Sequence, residues 1–494
     1  VTAGVTTDVV VVGAGNAALS AAITAAEAGA RVLVLEKASY AERGGNSRFT
    51  GGLLRFAFES KADVLRRVDD MGDASADLLD VAPYSVDSYV ADVQRLCGGR
   101  SDPALIQVLA ELSPAAVDWL AEHGVRYELY EKYVEHHGIR SWPDRSMIKA
   151  IGGGEGLVAA LFDAAERLGI DIRYDAQVVG VDFTRCAPGI GLDVRFNGEL
   201  AEVAAASVIL GSGGFEANPQ ARAAHLGKSW DLAKARGTRH NTGEVLALML
   251  SSGAAPVGHW SGCHAVPVDA DSADVGDLRL GALTTRLSYP YGVMVNVDGK
   301  RFVDEGSDFK LMTYAKIGRE VLEQPQGVAF QIFDQQGVPL IEPRYSLGSA
   351  PVVADTIAEL AIGLGINPAT LTDTINAYNA AAVDVPFNPA ILDGRATPGL
   401  EPPKSNWATR IEQGPYVGYR VTCGITFTYG GLGINTSAQV LTSGGHPIPG
   451  LFATGEITGG FFYHNYPAGT GLLRGTVYGR IAGELAAARS DAQP

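Results

Sequence analysis

TTDVVVVGAGNAALSAAITAAEAGARVLVLEK, residues 6–37, decides the fold class. Val9-Val10-Val11-Val12 is a β-branched run suited to a strand buried on both faces of a parallel sheet. Gly13-Ala14-Gly15 turns the chain, the alanine-rich stretch 17–28 predicts a helix, and Gly29 stops it. Residues 31–35 predict a second strand, ending at Glu36. This is a βαβ unit, whose crossover is almost always right-handed. Gly13 permits the tight turn, Gly15 lets backbone approach a pyrophosphate, and Ala18 keeps helix and sheet close. The helix N-terminus offers N–H donors, and Glu36 is placed to accept hydrogen bonds from ribose hydroxyls. The spacing predicts a dinucleotide site.

Downstream, 60–150 reads as helical, with DPALIQVLAELSPAAVDWLAEHG (102–124) carrying apolar residues at three- and four-residue spacing. Strands are predicted at 170–174, 178–183 and 208–210, the last running into Gly211-Ser212-Gly213-Gly214. Residues 257–402 have few glycine clusters, several prolines and a helix signal at 370–382. The last ninety or so residues return to glycine-rich strand–turn–helix patterning and close with a helix at 469–488. Within them LFATGEITGG (451–460) delivers a second acid, Glu456, after a late strand. NAD needs no binding elements at both ends of such a chain; an extended FAD does. The expected architecture is α/β: a Rossmann-like FAD-binding domain built from both chain ends (1–256 and 403–494), with an inserted α+β capping domain (257–402).

Composition removes other classes. The 494 residues carry 39 Lys+Arg against 55 Asp+Glu, a net charge of −16, so a phosphate backbone would be repelled and no nucleic acid is expected as partner. A hydrophobic share of 46 % is too high for a disordered chain, and the 61 glycines show no collagen period. Cys97, Cys186, Cys263 and Cys423 form no C-x-x-C. That spacing argues against a disulfide scaffold, a zinc ribbon, an iron–sulfur cluster or a c-type haem, and no metal site is expected. The stretch 9–35 is broken by Gly13, Asn16, Glu27 and Arg31, and no basic region precedes it. A soluble, cytoplasmic protein without signal peptide or transmembrane segment is expected. Lys228 in LGKS lacks the P-loop glycine, since position 222 is Arg, and neither G-x-S-x-G nor H-E-x-x-H occurs.

VVVVGAGNAALSAA, ERGGNSRFTGG, ILGSGGFEANP, NTGEVLALMLSSGA, SGCHAVPVD, GVMVNVDGKRFVDEGSDFKLMTYAKIGR, VTCGITFTYGGLGIN and LFATGEITGGFFYHNYPAGTGLLRGTVYGRIAGE follow one another along nearly the whole chain. In this order they resemble the flavoprotein superfamily of fumarate reductases, succinate dehydrogenases and 3-ketosteroid Δ1-dehydrogenases, nearest its tricarballylate dehydrogenase branch. The resemblance implies FAD contacts at Gly13, Gly15, Asn16, Ala17, Ala18, Glu36, Lys37, Gly44, Gly45, Asn46, Ser47, Thr50, Gly51, Gly52, Val178, Gly213, Gly214, Asn241, Glu244, Gly455, Glu456, Gly471, Leu472 and Leu473. Succinate dehydrogenases attach FAD through a histidine near the segment that here reads NSRFT, so non-covalent FAD is expected.

The chain also departs from the family. Gly306-Ser307-Asp308-Phe309-Lys310 replaces the segment in which soluble fumarate reductases place a proton-path arginine. Thr426 stands where they have a histidine, and Tyr466-Pro467-Ala468-Gly469-Thr470-Gly471 resembles the ketosteroid and tricarballylate turn. Efficient fumarate reduction is not expected.

Forming a C=C bond beside a carbonyl or carboxylate needs a hydride acceptor, a base, and donors for the charge that develops on oxygen. Tyr466 is the first candidate acid/base or oxygen-holding donor, His264 a substrate-facing histidine, and Arg286 and Arg344 possible carboxylate forks. The expected activity is FAD-dependent dehydrogenation of a C–C bond α,β to a carboxylate or ketone. Its alternatives are reduction of a fumarate- or urocanate-like alkene, or a redox-silent or electron-transfer flavoprotein. Expected partners are a small acid or ketone and an electron acceptor: a separate protein, a quinone or oxygen. Residues 257–402 carry 9 Lys+Arg against 18 Asp+Glu, so a polyanion would depend on a local cationic cluster working against the cap's own field.

Overall fold

The computed structural model describes residues 5–131, 133–182 and 189–491; Cys186 lies outside them. The opening motif folds as strand Val5–Val12, helix Asn16–Glu27 and strand Val32–Leu35. The first strand pairs in parallel with Val32–Leu35 on one side and with Glu199–Leu210 on the other. Asp171–Arg173 extends the sheet beyond Val32–Leu35, and Pro447–Ala453 joins it in parallel beside Glu199–Leu210. Ala176–Asp182 and Ile190–Phe196 add an antiparallel arm. The strand expected only at 208–210 begins at Glu199, because its first half is an Ala- and Glu-rich ribbon held by antiparallel pairing rather than by an apolar run.

The two chain ends meet helix to helix. The closing helix Thr470–Asp491 lies along Asn16–Glu27, and Gly475, Gly479 and Gly483 at four-residue spacing let it approach closely. A Cβ on Gly479 would stand 2.6 Å from the Ala17 carbonyl oxygen, and one on Gly483 2.4 Å from that of Ala21. The small-residue face is what joins residues 16–27 to 470–491.

A second sheet carries the inserted region. Its longest strand, Tyr416–Leu432, pairs antiparallel with Pro256–Asp269, Val328–Phe333 and Val352–Ala354, and parallel with Lys234–Ala235. Val293–Asn296 completes it beside Val328–Phe333. This pairing runs past the expected limits at 257 and 402 in both directions, because the partners of one sheet come from 234 to 432. Two apolar clusters, one around Phe330, Leu371 and Tyr378 and one around Val266, Ile317 and Val421, give this region a core of its own. Helix Pro103–Glu122 alone among the described residues is long and apolar enough to cross a membrane; half of that window is buried, with Ile106, Leu109 and Val117 in the main core.

Candidate active site

Two cavities run into one another between the sheets, sharing Asn16, Ala17, Asn46, Ser47 and Glu456. The first, about 120 Å³, is walled by Gly13, Gly15, Glu36, Lys37, Gly45, Val178, Gly213, Asn241 and Glu244. The second, about 440 Å³, is walled by Thr50, Gly51, Gly455, Gly471 and Leu472 together with His264, Tyr314, Arg344 and Tyr466.

The first cavity fits a dinucleotide. Gly15 precedes the Asn16–Glu27 helix without a side-chain cap, so the first-turn amides and the positive dipole end face the cavity. Gly13 has φ +102°, and a Cβ there would lie 2.5 Å from the Gly211 carbonyl oxygen, so backbone alone forms that wall. The Glu36 carboxylate accepts from the amides of Ala14 and Ala38 at 2.7 Å each, which fixes it in the wall although burial pushes its pKa up. Lys37 pairs with Glu244 at 2.9 Å and donates to the His240 carbonyl, so these two expected contacts also hold each other.

Five expected contacts stand behind the wall. Ala18 packs on Gly211, Leu473 is fully buried, and Gly44 and Gly52 take left-handed turns, Gly52 against Gly153. Gly214 leaves room for Glu456, whose Oε1 would lie 2.2 Å from a Cβ there. Glu456 sits with Glu216: the Asn241 side-chain amide donates to Glu216 Oε1 at 2.7 Å and to Glu456 Oε2 at 3.3 Å. Burial, then the Glu456 charge, push Glu216 well above the ordinary carboxylate range.

The larger cavity gathers Tyr466, His264 and Tyr314. The Tyr466 turn is held from three sides. Arg55, itself fully buried, donates Nε to the Ala468 carbonyl at 2.8 Å; Asn465 Nδ2 donates to Met312 O at 2.6 Å; the Ala468 amide donates to Leu311 O. The Gly471 amide then donates to the Tyr466 hydroxyl oxygen at 3.0 Å. His264 lies beside a register shift in strand Pro256–Asp269, stacked on Phe427 at 5.1 Å and edge-on to Tyr314 and Tyr466. It is buried with neither ring nitrogen bonded, and burial, then the Arg236 charge, drive its pKa well below 6.5, so it stays neutral. Burial likewise raises the Tyr466 hydroxyl above 10.

The four expected catalytic residues separate. Tyr466, His264 and Arg344 reach the cavity, Arg344 through a pair with Glu342 at 3.1 Å. Arg286 does not: at 2 % exposure it binds Asp269 at 2.8 Å and the Thr285 carbonyl, outside the cavity wall. One terminal nitrogen of Arg286 is taken by Asp269 and the other by backbone carbonyls, so the structure does not bring this expected carboxylate fork to the cavity. Sequence reading missed Tyr314, Arg236 and Arg474, all on the cavity wall. Tyr314 and Arg474 lie within family-like segments, whereas Arg236 falls between two of them, and none has a local motif around it.

The sequence profile of the FAD binding domain family matches residues 8–472. The chain belongs to this flavoprotein family. Urocanate reductase from Eggerthella lenta is 30 % identical over 98 % of the chain and 75 % of its own length. Fumarate reductase (cytochrome) from Shewanella frigidimarina is 29 % identical over 98 % and 77 %. The solved open conformation of a flavocytochrome c3 fumarate reductase superposes with a TM-score of 0.72 at 28 % identity, covering 98 % of this chain and 79 % of that one. The flavoprotein is an FAD-dependent oxidoreductase of the fumarate reductase family, and FAD is its cofactor.

Proposed function

We propose that this flavoprotein desaturates a C–C bond α,β to a carboxylate or ketone. FAD, when bound, supplies the hydride acceptor. Tyr466 donates its hydroxyl proton in a hydrogen bond to the substrate oxygen, its own oxygen held by Gly471. His264, neutral and unbonded, takes the proton from the carbon next to that oxygen function. Tyr314 closes the aromatic wall behind both, 4.8 Å from the His264 ring. The observation that supports this reading is the position of His264, whose ring, with both nitrogens unbonded, stands edge-on to the oxygen-holding tyrosine at the cavity wall.

The opposite direction has an observation in its favour, since the relatives above are named as reductases of fumarate and urocanate. Anaerobic mixing decides between them. Bleaching of the flavin band near ~450 nm by saturated acids or ketones supports desaturation. Reoxidation of dithionite-reduced protein by alkenes, without such bleaching, supports reduction.

The closeness to tricarballylate dehydrogenase is carried within this reading by the Tyr466-Pro467-Ala468-Gly469-Thr470-Gly471 turn. Electrons leave to a separate protein, a quinone or oxygen. Non-covalent attachment of FAD is supported by the lack of histidine in residues 46–50. The buried free thiols of Cys97, Cys263 and Cys423 support a cytoplasmic setting.

A further inference from the structure

Glu216 is fully buried and lies on neither cavity wall, yet it holds two side chains that do. Asn46 Nδ2 donates to Glu216 Oε1 and to the Thr426 carbonyl, while Asn46 Oδ1 accepts from the Thr238 amide at 2.8 Å. Asn241 Nδ2 donates to the same Glu216 oxygen and to Glu456 Oε2. Glu456 Oε1 in turn accepts from the Thr428 amide at 2.9 Å. Glycines make room for the two amides, as Gly214 does for Glu456. A Cβ on Gly213 would stand 2.4 Å from Asn241 Nδ2, and one on Gly237 2.1 Å from Asn46 Oδ1. Glu216 Oε2 is buried and accepts no hydrogen bond. The two carboxyls are in hydrogen-bonding contact, and each acts on the other ahead of any cation. Arg222 donates to the Glu216 main-chain carbonyl rather than to its carboxylate, and Arg474 acts on Glu456 more weakly than Glu216 does. The buried Cys263 thiol also feels Glu216, and burial pushes it up, so it stays uncharged.

Two ionised carboxylates in contact, away from water and with no cation between them, repel, and Oε2 would keep its lone pairs unsatisfied. A proton on Oε2 removes both costs, because it donates to the Glu456 carboxylate. We propose that Glu216 is a positioning residue of the FAD site that keeps a proton at neutral pH and shares it with Glu456, so that the pair presents one negative charge rather than two. That charge matters because Glu456 walls both cavities where they join, and an extended FAD has to pass there. A second negative charge at the junction opposes two-electron reduction of the cofactor. Once pH is high enough to ionise Glu216, reduction draws one proton from solvent back onto its carboxylate. The two electrons come from the substrate or an added reductant, and the only bond formed at the pair is that O–H. The inference rests on FAD occupying the joined cavities and holds for either direction of the reaction.

The test reads infrared absorption and reduction potential, not turnover. In the oxidised, FAD-loaded wild type at pH 7, a protonated-carboxyl C=O stretch is expected that shifts in D2O and is missing in Glu216→Gln. Reduction potentials of the bound FAD in both proteins are measured against indicator dyes from about pH 6 to 10. They should coincide at pH 7, because a neutral amide replaces a neutral acid. At alkaline pH the wild type should fall away from the variant by a factor of ten per pH unit in the equilibrium constant for reduction, about 30 mV for a two-electron couple. A wild type with no protonated-carboxyl band at pH 7 overturns the proposal and needs no variant to fold; a band that Glu216→Gln leaves in place overturns it too. So does a constant offset between the two potential curves, which would mean Glu216 is ionised throughout, and so does coincidence over the whole range. If band and curves behave as expected while saturated acids and ketones fail to bleach the flavin, the desaturation reading falls and the shared proton stands.

Discussion

The amide of Gly471 donates to the hydroxyl oxygen of Tyr466 at 3.0 Å. The phenolic proton is thereby left for another acceptor, and the cavity is where that acceptor can be. Tyr466→Phe removes the donor while keeping the ring that packs on His264, Phe427 and Phe462. We expect kcat/KM to fall about 100-fold, the usual size for losing one oxygen-holding donor, with stability changed by only about 1 kcal/mol. Rapid-mixing flavin reduction and a thermal melt read the two numbers separately; a large melt shift with unchanged rate would make Tyr466 structural.

His264 sets a pH limit. Its pKa lies well below 6.5 in the folded protein, so the unfolded chain binds more protons once pH drops under about 6.5. Its contribution to stability is complete above that value and declines as pH falls toward the folded value. For the same reason kcat/KM should stay level through pH 6.5 and lose its acid limb only lower down. A rate profile that breaks at 6.5, and again does so in His264→Gln, would remove His264 from the proton step.

Glu216 gives the opposite slope. Burial and the neighbouring Glu456 charge keep it protonated above the usual 4.5, so the folded state holds the extra proton as pH rises. Stability should therefore fall between about 4.5 and the folded value, and Glu216→Gln, with its neutral amide, should flatten that fall. Melts of the FAD-loaded protein from pH 5 to 9 show it; identical slopes would mean the two carboxyls do not share a charge.

The helix pairing of the chain ends predicts an inversion of ordinary propensity. Glycine to alanine inside a helix normally stabilises by about 1 kcal/mol. At Gly479 the added methyl meets the Ala17 carbonyl oxygen at 2.6 Å, so Gly479→Ala should destabilise by about 1–3 kcal/mol. Because the same helix pair backs the dinucleotide wall, FAD should also be lost more readily on gel filtration. An unchanged melt would show that the helices can separate freely.

Residues 6–37 could be read because every cue there is local: the apolar run, the turn glycines and the helix stop lie within one βαβ unit. In the larger cavity Tyr466 and His264 were legible from the segments that carry them, and Arg344 from its residue type alone. Arg236 and Arg286 look alike in a string, since neither has an acidic residue within three positions and each belongs to the region of the second sheet. What separates them is Asp269, seventeen residues before Arg286 in sequence and bonded to it in space, whereas no acid meets Arg236 among the described residues. Such pairings are set by strand register across the sheet, which composition does not encode. The pairing of strand Tyr416–Leu432 was hidden for the same reason, because its partners at 256–269 and 328–333 are distant in sequence.

Desaturation beside a carboxylate or ketone is open to one measurement that needs no turnover assay. A single equivalent of a saturated acid that bleaches the flavin is mixed anaerobically with the FAD-loaded protein, and the quenched mixture is analysed by mass spectrometry. Desaturation predicts one α,β-alkene formed per flavin reduced, with loss of two hydrogen atoms from adjacent carbons. Flavin reduction without that alkene, or with the hydrogens lost from a C–O or C–N bond, would contradict it.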